Sequence, residues 1–218
     1  MNEHAFSTAE RAAVYRAIAE RRDMRHFCPN SQVAPEVLQR LLQAAHQAPS
    51  VGLMQPWRFI RITDNALRTQ IAALVEAERQ RTAEALGPRK AQFLQLKVEG
   101  IRDCAELLVV ALCEAREQYI FGRRTLPQMD LASAACAIQN LWLAARAEGL
   151  GLGWVSLFEP AELGALLNIP ADAEAIAIVC LGPVDAFYAQ PMLIEQGWSS
   201  AQPLSDLMAE NRWPSSKA

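Results

Sequence analysis

The segment from Asp130 to Glu148, DLASAACAIQNLWLAARAE, constrains the fold more than any other part of the chain. It is apolar on several faces at once, with Ala134, Ala135, Ile138, Leu141, Trp142 and Ala145 at helical spacings. A helix that is apolar nearly all round must be buried on all sides, in the centre of a domain or in a subunit interface. Gly149 follows as its C-cap, because glycine takes the left-handed backbone that ends a helix without a Cβ penalty. At 218 residues, 51% of them hydrophobic, the chain can supply one sizeable core or a layered α/β domain around such a helix.

The other elements follow from local signals. Ser7 and Glu10 form a capping-box pattern ahead of a helix through Arg22, with Val14, Ile18 and several alanines on its inner face. Pro35 opens a second helix with an apolar stripe of Leu38, Leu41, Leu42 and Ala45, and Pro49 stops it. Trp57 to Ile62 alternates as a half-buried strand, and Asp64 caps a long helical tract containing Leu67, Ile71, Leu74 and Val75. Gly87-Pro88 breaks that tract, and Ala91 to Arg102 reads as helix again. Leu107 to Cys113 is a continuous apolar run, a buried strand or a piece of buried helix with flanks that favour strand, followed by a polar stretch, REQYIFGRRTLPQ, long enough for a lid or mobile loop. Leu150 to Phe158 is a strand, Pro160 to Leu167 a short helix, and Ala175 to Leu181 a second buried strand closed by Gly182-Pro183. From Val184 onward periodicity fades. Tyr188, Trp198 and Trp213 space out a tail that should wrap this protomer or a neighbour. The chain reads as one domain over residues 1–218, with 184–218 as that tail.

Charge narrows the partners. The net charge of −3 and the absence of a lysine/arginine block argue against nucleic acid and anionic membrane. No apolar run reaches the length of a bilayer span, and no basic leader precedes an apolar segment at the N-terminus. The five cysteines are scattered, with no metal-ligand spacing among them or the three histidines. A cytoplasmic protein with reduced thiols and no metal is expected.

Three places could carry chemistry, each with a bland alternative. Arg21, Arg22 and Arg25 cluster around Asp23. They are either a solvated run at a helix end or the cations that a phosphate-bearing ligand needs. Asp23 is either their ion-pair partner or an acid beside a bound ligand, able to act as a base. The loop between Ala48 and Trp57 offers Ser50, Gly52, Met54 and Gln55. It is either an ordinary connection or a clasp for a planar heteroaromatic ring. Ser156, in GLGWVSLF, either packs in a sheet or aims a hydroxyl at a ligand that the glycines let approach. The residues alone lead to a soluble α+β protein with a candidate anionic-ligand loop.

Taken together and in order, RRDMR, AAHQAPSVGLMQPW, LKVEGIR, PQMDLASAACAIQNLWLAARAEGLGLGWVS and CLGPVD resemble the FMN-dependent nitroreductase fold. More narrowly they resemble its 5,6-dimethylbenzimidazole synthase (BluB) branch, over about Ser7 to Trp213. The resemblance implies an α+β fold with a central mixed, mainly antiparallel sheet flanked by helices, and an extended C-terminal tail wrapping a partner subunit. It implies a homodimer with two FMN sites at the interface, each built from both chains. The RRDMR segment, Arg21 to Arg25 including Met24, would hold the phosphate and ribityl chain. Ser50, Met54 and Gln55 of the partner chain would contact the ring system, and Val98 and Gly153 would line the pocket.

In this branch reduced FMN is the substrate. Molecular oxygen attacks its ring system, which breaks into 5,6-dimethylbenzimidazole, the lower ligand of vitamin B12, and erythrose phosphate. The pocket must be closed, because bulk water would merely release hydrogen peroxide. Asp23 matches the family's aspartate and would be the acid/base at the ribityl carbon. Ser156 would position the flavin or the peroxide. Glu76–Arg102 and Tyr119–Gln128 are the lid candidates, and a separate flavin reductase would supply the reduced flavin. The chain departs from the family pattern in three ways. Ser199, Ser200, Ala201 and Gln202 follow Gly197-Trp198 where relatives often carry arginines, Ala132 replaces a common tyrosine, and the N-terminal extension is short. Two other functions compete: a general NAD(P)H-dependent FMN reductase of nitro or quinone substrates, and a non-catalytic flavin-binding protein.

Overall fold

The computed structural model describes residues 4–213. The outer parts of the expected 1–218 domain and its tail lie outside the described residues. Four strands, β1 (Trp57–Arg61), β2 (Glu106–Leu112), β3 (Gly151–Val155) and β4 (Glu174–Gly182), form one sheet in the order β1-β2-β4-β3. Every pairing of named strands is antiparallel. The parallel component is a single bridge between Asp23 and Leu152 at the free edge of β3.

Strand periodicity divides the core into two layers. Leu108, Val110 and Leu112 of β2 point to one face, with Val179 and Leu181 of β4, and pack against α2 (Pro35–His46) and α5 (Met129–Ala147). Leu107 and Val109 point to the other, with Ile178 and Cys180, against Ile71, Ala72 and Val75 of α3 (Asn65–Ala85) and Leu163 of α6 (Pro160–Leu166). The caps form as their residues dictate. Ser7 and Glu10 close a reciprocal capping box on α1 (Thr8–Glu20), and Asp64 accepts from Ala66 N–H and Leu67 N–H. Gly149, at φ +76°, ends α5 while Leu150 N–H reaches back to Ala145 O.

Several expectations need correction. α1 stops at Glu20, and its supposed inner face is not inside: Val14 and Ile18 are 48% and 49% exposed. Among the described residues α5 is the element that packs against α1. α5 is not the centre of the protomer: one face is buried, through residues such as Ala134, Ile138 and Leu141, while Leu131, Ala132 and Cys136 are exposed, which leaves the subunit-interface alternative. The sheet and α2 cover only one side of it. The helix expected from Ala91 to Arg102 runs only from Lys90 to Gln95 as α4. Arg79 draws the Leu94 and Leu96 carbonyls onto its guanidinium, and Gly100 lies where a Cβ would meet the Phe27 ring at 2.5 Å. The strand from Leu150 is shorter than expected, because β3 ends at Val155. The polar 116–128 stretch is anchored at its base, with Arg116 and Arg123 both paired to the buried Asp130 at 3.0 and 3.1 Å.

The tail first follows its own protomer. Val184, Phe187 and Tyr188 join the core layer under β4, and α7 (Met192–Glu195) leads to Trp198, which rests on Phe93. Beyond it Leu204, Leu207 and Met208 are exposed, and Trp213 is 92% exposed. Among the described residues no helix is long and apolar enough to cross a membrane.

Candidate active site

The site grows from the edge of β3. Met24 N–H donates to Leu152 O at 2.9 Å, so the chain after α1 lies beside β3 as a short parallel strand. Gly153 permits that approach, since a Cβ there would stand 2.1 Å from Met24 O. The ladder does not continue through backbone. Trp154 N–H donates instead to the Asp23 carboxylate at 2.9 Å. Arg25 closes the unit: it donates to both Asp23 oxygens at 2.6 Å each and to Trp154 O at 2.8 Å. An edge strand, a carboxylate and a guanidinium thus fix one another.

Asp23 retains an open side. Its side chain is 44% exposed against 9% for Arg25, and it borders two adjoining cavities. The larger, about 210 Å³, is lined by Asp23, Arg25, Phe93, Val98, Ser156 and Trp198 among others. The smaller, about 150 Å³, lies between Arg21, Arg22, Asp23 and the strap residues Pro191, Met192 and Leu193. Met192 and Leu193 line both cavities, so α7 partitions one recess above Asp23. Burial in this wall pushes the Asp23 carboxyl above its ordinary range. The Arg25 charge, the Trp154 N–H, the Arg25 hydrogen bonds and the Arg21 charge all pull the other way, and burial outweighs them. A carboxylate with a raised pKa accepts a proton better than an ordinary aspartate.

The three arginines have different tasks. Arg22 is spent on carbonyls: Nη1 donates to Ala19 O and Arg21 O, Nε to Tyr188 O and Nη2 to Ala189 O. It pins the start of the strap. Arg25 is spent on Asp23 and on the Met24 and Trp154 carbonyls. Arg21 rests its guanidinium over the Trp142 ring at 4.5 Å, and among the described residues none accepts a hydrogen bond from it. Of the three it alone is available to an anion in the smaller cavity.

The remaining expected residues divide as well. Ser156 is exposed on the wall of the larger cavity, and no group among the described residues bonds its hydroxyl. Val98 lines the same cavity from the loop after α4. Met24 is 1% exposed and belongs to the core, and Gly153 is buried beneath Met24 rather than in the cavity wall. Both support the site from behind. Ser50, Met54 and Gln55 are not brought to this recess within the protomer. Their loop is set by Ser50 Oγ accepting from Gln55 N–H at 3.0 Å and Ser133 Oγ accepting from Val51 N–H at 3.0 Å. Met54 is buried there.

Sequence reasoning missed Phe93, Leu96, Trp154, Met192 and Leu193 as cavity walls. Only Gly197-Trp198, a helix-stop glycine followed by an indole, signalled the strap. The recess suits a flavin in kind: apolar and aromatic walls for a ring, an unengaged arginine for a phosphate, and a free hydroxyl between polar and apolar parts. Taken together, the two cavities reach the ~300 Å³ at which ligand pockets begin.

Comparison with known proteins gives the same direction. A model of the nitroreductase family matches residues 18–183. The chain is 41% identical over 187 residues to a 5,6-dimethylbenzimidazole synthase of Rhodospirillum rubrum, covering 84% of this chain and 87% of that protein. It is 36% identical over 200 residues to a 5,6-dimethylbenzimidazole synthase of Rhodobacter capsulatus, covering 91% and 96%. Its fold superposes on the crystal structure of a BluB-like flavoprotein from Clostridium difficile with a TM-score of 0.68 at 20% identity, covering 91% of this chain and 99% of that one.

Proposed function

Since the chain belongs to the nitroreductase family, we propose that it is a 5,6-dimethylbenzimidazole synthase acting on reduced FMN with molecular oxygen. The observation that carries this reading is the Asp23–Arg25 unit, a carboxylate with a raised pKa held at the mouth of an apolar recess that also presents the free Ser156 hydroxyl. The 36–41% identity to synthases over most of the chain supports the same branch.

Reduced FMN, when bound, would supply the electrons, the dimethylbenzene ring and one ribityl carbon of the product, with the other four ribityl carbons leaving as erythrose 4-phosphate and the pyrimidine portion of the ring leaving separately. The protein supplies the rest. Asp23 accepts the proton at the ribityl carbon whose bond to nitrogen is lost, and Arg25 and Trp154 N–H hold its carboxylate in one orientation. Ser156 orients the bound ligand through its hydroxyl. Arg21 takes the phosphate, a charge-assisted contact worth about 1.5–3 kcal/mol. Phe93, Leu96, Val98 and Trp198 keep bulk water from the reacting ring.

A homodimer completes this site. An exposed apolar stripe of Val14, Tyr15 and Ile18 on α1 supports it, together with the exposed Leu131 on α5. In that arrangement Ser50, Met54 and Gln55 of one protomer meet the ring bound by its partner, and the exposed tail with Leu204, Leu207 and Trp213 wraps the neighbour. A separate flavin reductase supplies the reduced flavin, in the cytoplasm. The deciding experiment loads the protein anaerobically with chemically reduced FMN, admits air and analyses the small molecules by mass spectrometry. Dimethylbenzimidazole that disappears in Asp23→Asn is the expected result. Intact oxidised FMN with hydrogen peroxide overturns the reading.

A further inference from the structure

The segment that carries Asp23 has a second neighbour besides β3. Cys28 N–H donates to Pro183 O at 2.9 Å, Arg25 N–H to the Tyr188 hydroxyl at 3.1 Å, and Arg22 Nε to Tyr188 O at 3.1 Å. The chain after β4 therefore runs back along this segment, and Tyr188 grips it on both sides of Asp23. Its carbonyl holds the side chain of Arg22, and its phenol holds the main chain of Arg25. The phenolic oxygen also stands 2.7 Å from His26 Nδ1, with the two rings edge to face at 86°. A tyrosine hydroxyl has one proton to give and two lone pairs that receive. Arg25 N–H takes a lone pair, so the phenolic proton goes to His26 Nδ1, and this network assigns the imidazole's own proton to Nε2. Donation to the imidazole in turn makes the phenolic oxygen a better acceptor for Arg25 N–H.

We propose that Tyr188, with its hydroxyl turned by His26, is a positioning residue for the Asp23 carboxylate and acts through Arg25. The proposal rests on the reading of Asp23 as the base. Arg25 is buried, and its guanidinium reaches both Asp23 oxygens and Trp154 O. A bidentate fork of this kind is geometrically specific, so it depends on where the arginine main chain is rooted. The contact with β3 fixes that chain one residue earlier, through Met24 N–H and Leu152 O. At Arg25 itself the phenol takes over. The charges that face Asp23 are those of Arg25 and Arg21, the Arg25 charge being the larger influence, and both oppose the effect of burial. Loosening Arg25 therefore leaves burial less opposed, and the carboxyl holds its proton to higher pH.

The test compares the full chain with Tyr188→Phe, His26→Asn and His26→Leu. Phenylalanine keeps the ring and the main-chain carbonyl that Arg22 uses, and removes only the hydroxyl. Asparagine puts an amide oxygen where Nδ1 stands, and leucine does not. The Asp23 carboxyl is titrated by NMR of its carboxyl carbon, exchange of the Arg25 amide proton is followed, and dimethylbenzimidazole formation is measured in air over a range of reduced FMN. Tyr188→Phe is expected to move the Asp23 titration upward and to speed Arg25 exchange about two- to tenfold. Its kcat is expected to fall about ten- to hundredfold with KM little changed. His26→Leu is expected to shift the same quantities in the same direction, and His26→Asn to restore them. Should Tyr188→Phe lose the fold, the two His26 variants decide by the same readouts. An Asp23 titration that stays at the wild-type position shows a merely structural tyrosine, whatever the loss of thermal stability, and overturns the proposal. A wild-type protein that returns intact FMN with hydrogen peroxide overturns the synthase reading alone, since the titration and the exchange need no ligand.

Discussion

Arg25 grips Asp23 through both carboxylate oxygens at 2.6 Å, while the same carboxylate caps the Trp154 N–H at the edge of β3. One acidic side chain therefore ends a strand, pairs a buried guanidinium and faces a cavity. The site is rigid because its parts are the continuation of the sheet, and the roles can be separated by measurement.

The Asp23 carboxyl is raised by burial, with Arg25 and Trp154 N–H opposing. A carboxyl whose folded pKa lies above its unfolded value of about 3.9 binds its proton more tightly in the folded state. Its contribution to stability is then present below the unfolded value and is lost as pH rises through the folded value. Activity has the opposite sign, since the base must be ionised. The acid limb of the kcat profile is expected above the ordinary aspartate range, and a limb at or below that range contradicts the assignment.

Arg21 and Arg22 should give opposite phenotypes. Arg21→Ala is expected to weaken FMN binding by about 1.5–3 kcal/mol with little change in thermal stability. Arg22→Ala releases the Tyr188 and Ala189 carbonyls, and is expected to lower stability by a similar ~1.5–3 kcal/mol and to open the strap to protease. Fluorescence titration with FMN and thermal unfolding of both variants distinguish the two roles.

Gly153→Ala puts a methyl group where Met24 O stands 2.1 Å away. Backbone on both sides must move, at an expected cost of about 1–3 kcal/mol or more. Urea denaturation measures the loss, and a variant as stable as wild type would show that the Asp23 segment does not lie on β3.

Asp130 is buried between Arg116 and Arg123 at the base of the 116–128 segment. Asp130→Ala leaves Arg123 buried without its inner partner and is expected to cost about 3–5 kcal/mol. Denaturant unfolding reads that cost. Hydrogen exchange in Tyr119–Leu126 is expected to rise with it.

Much of the frame was legible because its signals are local. The Ser7–Glu10 box, the Asp64 cap, Pro35 at a helix start and Gly149 at a helix end each act within a turn of their own position. Asp23, Arg21, Ser156 and Val98 were named from their motifs, and the structure gathers them around one recess. The helix expected to Arg102 was not legible, because Arg79, fifteen or more residues away, competes for its carbonyls. The walls from α7 were hidden too, since a four-residue helix has no periodicity to read.

By itself the sequence determined where most elements start and stop, because caps and breakers operate over a few residues, but not which face of α1 or α5 is covered. Tertiary structure alone decided which arginine is free. Arg21 and Arg22 are adjacent and chemically identical, yet the Tyr188 and Ala189 carbonyls, more than a hundred and sixty positions onward, occupy one and leave the other. It also decided that Asp23 becomes a strand cap with a raised pKa, since that depends on the edge of β3 and on the cavity beside it. Burial and long-range hydrogen bonding arise only when distant segments meet, and no local pattern encodes them.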